Sequence, residues 1–362
     1  MPIMTKHSLR HGLNMLLMAG LLTVLCGCWD IKDINHRALP IAMGLENNDG
    51  GYKIYLLIPQ KTQGREETKV VTGTGPTIND IIDQIGKNME MQVDLLHLKV
   101  VVFERGIAER GLGDSVSSFM RSRFIPPKTI VAVTDENLEH LFDHLKSTST
   151  TSGLEIYNYF GKNAGWSPQV AQTRVWQIFR SLGSYTHDVV IPIIKTGRTT
   201  TLDSTGSAVI KNGKMVGRIN SDETLLYNAF NGISTQGKIE VMNHASVMIV
   251  SESLRHHTSF EGKQAVLNSR LTLKVTILET KGAPDAVVIN RELNELLTAR
   301  FNRMFRKIQS EKADILGLGQ FFRTRIPRDR LKDWRTDYYP GMQLNLKVNT
   351  IIQDDGLLKL KA

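Results

Sequence analysis

Cysteine is nearly absent: 362 residues contain two, Cys26 and Cys28, both inside the first thirty positions. A chain that loses the first and modifies the second has no free thiol and no internal disulfide. Thiol catalysis and cysteine-based zinc sites are then excluded together. About 335 residues follow position 27, enough to bury a core without covalent staples. Long apolar runs are missing as well. After Leu25 no stretch of about 18 apolar residues occurs, so the body has no membrane-spanning helix to offer. Catalytic motifs are also lacking: there is no Gly-x-Ser-x-Gly elbow and no Walker loop, and Gly73-x-Gly75 runs into Pro76 rather than a dinucleotide fingerprint. No cofactor is implied. The net charge of +9 is too diffuse for a nucleic-acid partner, which needs a basic stripe and a binding motif. It suits a neighbour of anionic headgroups.

What the N-terminus does contain is ordered. Lys6 and Arg10 give a positive start, and Leu13 to Leu25 is almost wholly apolar. That is the length of a secretory h-region and too short to cross a bilayer of roughly 30 Å. Leu25, Cys26, Gly27 and Cys28 then form the kind of site a lipoprotein signal peptidase reads, with Cys26 where a small residue is usual. Residues 1–27 are therefore expected to be a signal peptide, and Cys28 to carry a diacylglycerol.

The body reads as α+β, multi-domain, with mixed and antiparallel sheets packed by helices. Ala38–Leu45 and Tyr52–Ile58 flank an Asn/Asp/Gly cluster and predict a hairpin. Lys61–Gly75 is polar and reads as a loop. Thr77 with Asp80 marks a helix start, and Ile78, Ile81, Ile82, Ile85 and Met89 share one face. Leu98–Phe103 predicts a strand, 107–123 a helix, Thr129–Val133 a strand, and Thr134 the cap of a helix carrying Leu138, Leu141, Phe142 and Leu145. Ser167 and Pro168 are read as opening a helix through Leu182. Val189–Ile194 is read as an edge strand because Pro192 lies in it. Asn212-Gly213 is a strong hairpin signal. Ile239–Val250 and Leu271–Ile277 predict strands, Ile289–Ile308 a long helix, and Leu344–Val348 a last strand, together a curved antiparallel sheet crossed by one helix. The expected organisation is 28–198 as an N-terminal α+β region with a seam near 147–153, and 199–362 as a C-terminal α+β domain.

Candidate chemistry is sparse. His140 and His144 have chelating i, i+4 spacing, but Leu141 stands where a metalloprotease has glutamate and no third ligand is implied, so they read as a solvated face. Phe321, Phe322, Arg323, Arg325, Arg328 and Trp334 form an aromatic-basic segment. Residues 281–340 hold 13 Lys/Arg against 8 Asp/Glu. This segment is either a partner surface with apolar anchors or a core strip with a solvated, internally paired face.

Four stretches carry a family pattern. Cys28-Trp29-Asp30 and the run through Gly44 form the first, and LHLKVVVFERGIAERG from Leu96 to Gly111 the second. The third is Gly206-Ser-Ala-Val-Ile with Lys214-Met-Val-Gly and Asp222-Glu-Thr. The fourth is Lys312-Ala-Asp-Ile-Leu-Gly-Leu-Gly, with Trp334 and the terminal alternating strand. In this order they resemble the GerAC-type spore germination lipoproteins. The resemblance implies a three-domain α+β fold and a non-enzymatic C subunit of a nutrient germinant receptor. It further implies anchoring by Cys28 on the outer face of the spore inner membrane, and polytopic A and transporter-like B membrane subunits as partners. The competing readings are a substrate-binding lipoprotein of an uptake system, which would show two similar lobes around a ligand cleft, and a secreted hydrolase, which would turn over some substrate.

Overall fold

The structure is a computed structural model and describes residues 11, 14–18, 36–48, 50–62, 65–122, 124–148, 154–161, 167–233, 236–282 and 284–354. Residues Met1–Arg37 separate from the rest of the chain as a unit. In it residues 14–18 are helical, with Met15 to Met18 exposed. Cys26 and Cys28 lie outside the described residues, so the lipidation expectation does too. Among the described residues no helix is long and apolar enough to cross a membrane.

From Ala38 onward two sheets organise the molecule. The larger has the strands β1 (Ala42–Asn48), β2 (Gly51–Thr62), β3 (Arg65–Gly75), β4 (Val100–Glu104), β5 (Ile130–Thr134), β6 (Val189–Thr196), β7 (Leu202–Lys211) and β8 (Lys214–Ile219). Their spatial order is β8-β7-β6-β5-β4-β1-β2-β3, with a two-residue strand at Thr173–Arg174 paired to β5. The centre is parallel, from β1 through β4 and β5 to β6, and both margins are antiparallel hairpins. Central parallel strands need cover on both faces, and their sequences show it. Val101, Phe103, Val131, Val133 and Ile191 pack on one side against α1 (Ile78–Asn88), α2 (Arg105–Arg110), α3 (Gly113–Ser122) and α6 (Val175–Leu182). Val100, Val102, Ala132 and Ile194 pack on the other against α4 (Leu138–Thr148) and α5 (Glu155–Gly161).

Local chemistry accounts for most boundaries. Thr77 Oγ1 accepts the Asp80 N–H at 3.2 Å, starting α1 where the sequence placed it, and Ile78, Ile81 and Ile85 are its buried face. At the β7–β8 turn Asn212 and Gly213 have φ of 50° and 78°, the pair of positive values that a two-residue turn matched to strand twist requires.

Several expectations are corrected. The polar stretch after Lys61 is not a loop: Arg65–Gly75 pairs with β2 along its length. As the outer strand of the sheet, it buries little, so its residues need no apolar alternation. The helix expected over 107–123 is two helices divided at Gly111, whose φ is 142°. The cap of α4 is Asn137, whose Oδ1 accepts the His140 N–H, while Thr134 ends β5 and accepts from Glu136. Ser167 and Pro168 lie in a turn; the helix starts only at Val175, after Arg174 N–H donates to Gln177 Oε1. Finally, β6 is interior. Its pairing with β5 begins at Ile193, so Pro192 sits at the mouth of that ladder, where a missing N–H costs least.

The smaller sheet holds β9 (Ile239–Val241), β10 (Ala245–Glu261), β11 (Gln264–Thr280) and β12 (Gln343–Asp354), in that order. It is antiparallel except at its far margin: β11 and β12 run parallel, because the 25-residue helix α8 (Ala286–Ser310) returns the chain to the starting end. Ile289, Leu293, Leu297, Phe301, Met304, Phe305 and Ile308 bury one stripe of α8 against Leu271, Leu273, Val275 and Ile277. The same core takes in Val190 and Val209 of the large sheet and Leu226, Tyr227 and Phe230 of α7 (Ser221–Phe230). The Gly/Thr-rich stretch after position 198 therefore joins two paired strands of one sheet, which continues to Ile219.

Candidate functional site: the junction of the two sheets

The segment that the sequence singled out, 312–335, folds onto the loop before β6. Asp188 is fully buried and receives the guanidinium of Arg335 in a fork, Nη2 to Oδ1 at 2.7 Å and Nε to Oδ2 at 3.0 Å. The same guanidinium donates to the Ser184 carbonyl at 2.8 Å. Asp188 and Asp314 are tied through their backbones as well: Asp188 N–H donates to Asp314 O at 2.8 Å, and Asp314 N–H to Asp188 Oδ2 at 2.9 Å. Asp314, also fully buried, accepts three N–H donors at 2.8 Å each, from Leu318, Gly319 and the Trp334 indole. Burial pushes the Asp314 carboxyl up to about 7, against those donors. Burial also raises Asp188, opposed by Arg335. Each buried carboxylate is thus partnered, as burial of charge requires.

This geometry explains the glycines of the Lys312–Gly319 block. Gly317 has φ 63° and lies over the His187 ring. A Cβ on Gly319 would stand 2.7 Å from Thr186 Cβ and 2.8 Å from Trp334 Cε2. The backbone must therefore approach both side chains as closely as it does. Trp334 is wholly buried and stacks with Phe322 and with Tyr338, at 5.6 and 6.1 Å between ring centroids.

Above this lock opens a cleft of about 570 Å³ lined by Arg180, Tyr185, Thr186, His187, Gln320 and Arg323, among others. Gln320 Nε2 donates to Thr186 Oγ1, and Arg323 Nη1 to Gln320 Oε1. Burial, followed by the charges of Arg180 and Arg335, lowers His187 to about 4 and keeps it neutral. The cleft offers cations and amides to a polar ligand.

The sequence-selected residues separate here into two sets. Phe322 and Trp334 are core, both at 0 % exposure, so they are not surface anchors. Phe321 is 38 % exposed and packs its ring 4.5 Å from His256, while Arg323, Arg325 and Arg328 are exposed. His140 lies 3.4 Å from Glu136, and among the described residues no three potential ligands gather around a metal position. Arg335 belongs to the basic cluster of the 312–335 segment, and its pairing is internal; the sequence reading missed the roles of Asp188, Asp314 and Arg300. The last is a buried side chain of α8 that reaches Glu240 at 2.9 Å and Asp222 at 3.3 Å. Of these, Asp314 had a signal, its place in the 312–319 block.

Comparison with known proteins gives one answer from three directions. Residues 30–196 match the family model "Spore germination protein N-terminal domain", and residues 205–356 match "Spore germination B3/GerAC like, C-terminal". The chain is 21 % identical to spore germination protein GerQC of Bacillus cereus, over 77 % of this chain and 80 % of that one. It is 21 % identical to spore germination protein KC of Bacillus subtilis, over 96 % and 97 %. The crystal structure of the GerBC protein shares the fold, with a TM-score of 0.58 at 15 % identity, covering 90 % of this chain and all of that one. The chain belongs to the GerAC-type family of spore germination proteins, the C subunits of germinant receptors.

Proposed function

We propose that this chain is a lipid-anchored, non-catalytic subunit required for germination in response to nutrients, held at the spore inner membrane by Cys28 beside the A and B membrane subunits. One observation carries the anchoring. The family match begins at residue 30, two positions after Cys28, so the shared body starts where the predicted signal peptide ends. Two acyl chains suffice for stable attachment where one is marginal. Once tethered, the chain meets its neighbours at high effective concentration, and individually weak contacts become sufficient. The non-catalytic role is supported by the junction, where the buried carboxylates of Asp188 and Asp314 are taken up by Arg335, the Trp334 indole and backbone N–H groups. The two sheets are also unlike in strand number and helix cover, unlike the paired similar lobes of an uptake protein.

The test is Cys28→Ala introduced at the native locus. The expected result is unprocessed precursor, loss from the membrane fraction and a germination defect toward the nutrients this receptor serves. A variant that matures to the same mass, stays with membranes and germinates normally would sink the proposal.

A further inference from the structure

The small sheet is covered by α8 on one face only, and its other face has an unusual composition. Strand alternation turns Ser251, Ser253, Arg255, His257 and Ser259 of β10 outward, with Asn268, Arg270, Thr272, Lys274 and Thr276 of β11 and Asn345, Lys347, Asn349 and Ile351 of β12. No Asp or Glu occurs among these positions. The registers place Arg255 directly opposite Arg270, and Arg270 directly opposite Lys347. Three cations therefore stand in one row across three strands, all exposed, with no acidic partner among the described residues. Like charges facing each other across strands are destabilising, so this row works against the fold that carries it.

Two residues further along the strands, His257, Asn268 and Asn345 form a second outward row. Between the rows lies a depression of about 400 Å³ bounded by these six side chains, with the strand backbone at His256, Ser269 and Leu346 beneath. The amides are ordered among themselves: Gln343 donates to Asn345 at 3.1 Å and Asn345 to Asn268 at 2.9 Å. That chain ends on the Asn268 amide N–H₂, which has no protein acceptor among the described residues. The hollow thus presents two guanidinium groups, an ammonium and an amide donor, with no acidic side chain among the described residues to satisfy them.

We infer that this depression binds a phosphate group. Paired guanidinium forks match phosphate oxygens bidentately, and an ammonium adds a point charge. The six side chains that bound the depression are all polar, and the exposed apolar residues of this sheet, Ile239, Val241, Leu278 and Ile351, lie outside its lining, so the hollow itself lacks the aromatic and aliphatic anchors on which protein interfaces rest. The phosphate is carried either by a lipid headgroup or by a soluble phosphate compound, and the experiment separates the two.

The full chain in a neutral detergent is titrated calorimetrically with inorganic phosphate and with glycerophosphoglycerol, a lipid headgroup without its acyl chains. Arg270→Gln and Lys347→Gln are the variants. Each should melt no lower than the parent, since removing one cation relieves the row, and each should weaken binding by about tenfold or more. Preference for the diester assigns the site to a headgroup; preference for the inorganic ion assigns it to a soluble compound. The inference is overturned if the parent binds neither, if the variants bind as the parent does, or if they melt lower.

Discussion

Arg335 and Asp188 are 147 residues apart in sequence and 2.7 Å apart in space, and their fork closes the junction between the two sheets. The pair is nearly dry, with side-chain exposures of 12 and 0 %. Removing one member of such a pair strands the other as an uncompensated buried charge. Arg335→Met is expected to cost about 3 to 5 kcal/mol in denaturant unfolding. Adding Asp188→Asn should recover part of that loss, because the stranded charge disappears. A single variant as stable as the parent, or a double variant with additive losses, would show that the fork contributes little.

Gly319 should tolerate no side chain. Its Cβ would press on Thr186 and on the Trp334 ring, both closer than 3.0 Å. Both neighbours are buried, Thr186 at 5 % and Trp334 at 0 % exposure, and the indole also packs against Phe322 and Tyr338, which leaves little room to move. Gly319→Ala is expected to lose about 1 to 3 kcal/mol, the usual range for overpacking. It should also dim or shift the tryptophan fluorescence that reports on this pocket. A neutral Gly319→Ala would mean that the junction is looser than its distances imply.

His187 gives the junction a pH signature. Its folded value is about 4 against 6.5 for the free side chain, so between those values the unfolded chain binds a proton that the folded chain refuses. The histidine's contribution is complete above about pH 6.5 and is lost as pH falls toward 4, by up to about 3 kcal/mol. Asp314 acts in the opposite direction: with a folded value of about 7 against 3.8 for the free carboxyl, its contribution is complete below about pH 4 and is lost as pH rises toward 7. Comparing His187→Gln with the parent across this range isolates the histidine. The variant should gain on the parent steadily as the pH is lowered. Parallel stability curves would show that His187 protonates freely in the fold.

Features set by neighbours in sequence were legible, and features set by distant partners were not. The Thr77 cap, the Asn212-Gly213 turn and the alternation over Leu271–Ile277 each have a short-range cause, and each stands where it was expected. Arg65–Gly75 read as a loop because an outermost strand has little apolar face to display. Pro192 read as an edge because sequence does not show where along a strand its second neighbour begins. The direction of β12 depends on α8 carrying the chain back before it, a matter of topology. Phe322 and Trp334 were indistinguishable from surface anchors for a related reason. An aromatic-basic segment has the same composition whether its aromatics point inward or outward, and only Asp314, twenty residues before Trp334, determines that the indole is buried.

With those aromatics in the core, what remains of the candidate partner surface is smaller and more polar than the sequence suggested. Arg323, Arg325 and Arg328 lie on the outside of the 318–333 segment, and Phe321 is its one partly exposed ring. Arg323 bonds only to Gln320, and Arg325 and Arg328 have no side-chain partner among the described residues. Reversing all three to glutamate therefore leaves the Asp188–Arg335 fork and the Phe322–Trp334 stack untouched, and circular dichroism and melting should match the parent. If this surface meets the membrane subunits, the triple variant should still fractionate with membranes but lose their co-purification and germinate poorly. Cationic contacts of this kind act mainly on association and are screened by salt, so the loss of co-purification caused by a single reversal should be largest at low ionic strength and shrink as salt is added. Phe321→Ala should give a comparable defect, since an exposed ring among charges is the natural apolar anchor. A folded, membrane-bound triple variant with normal subunit levels and normal germination would exclude these arginines from the interface.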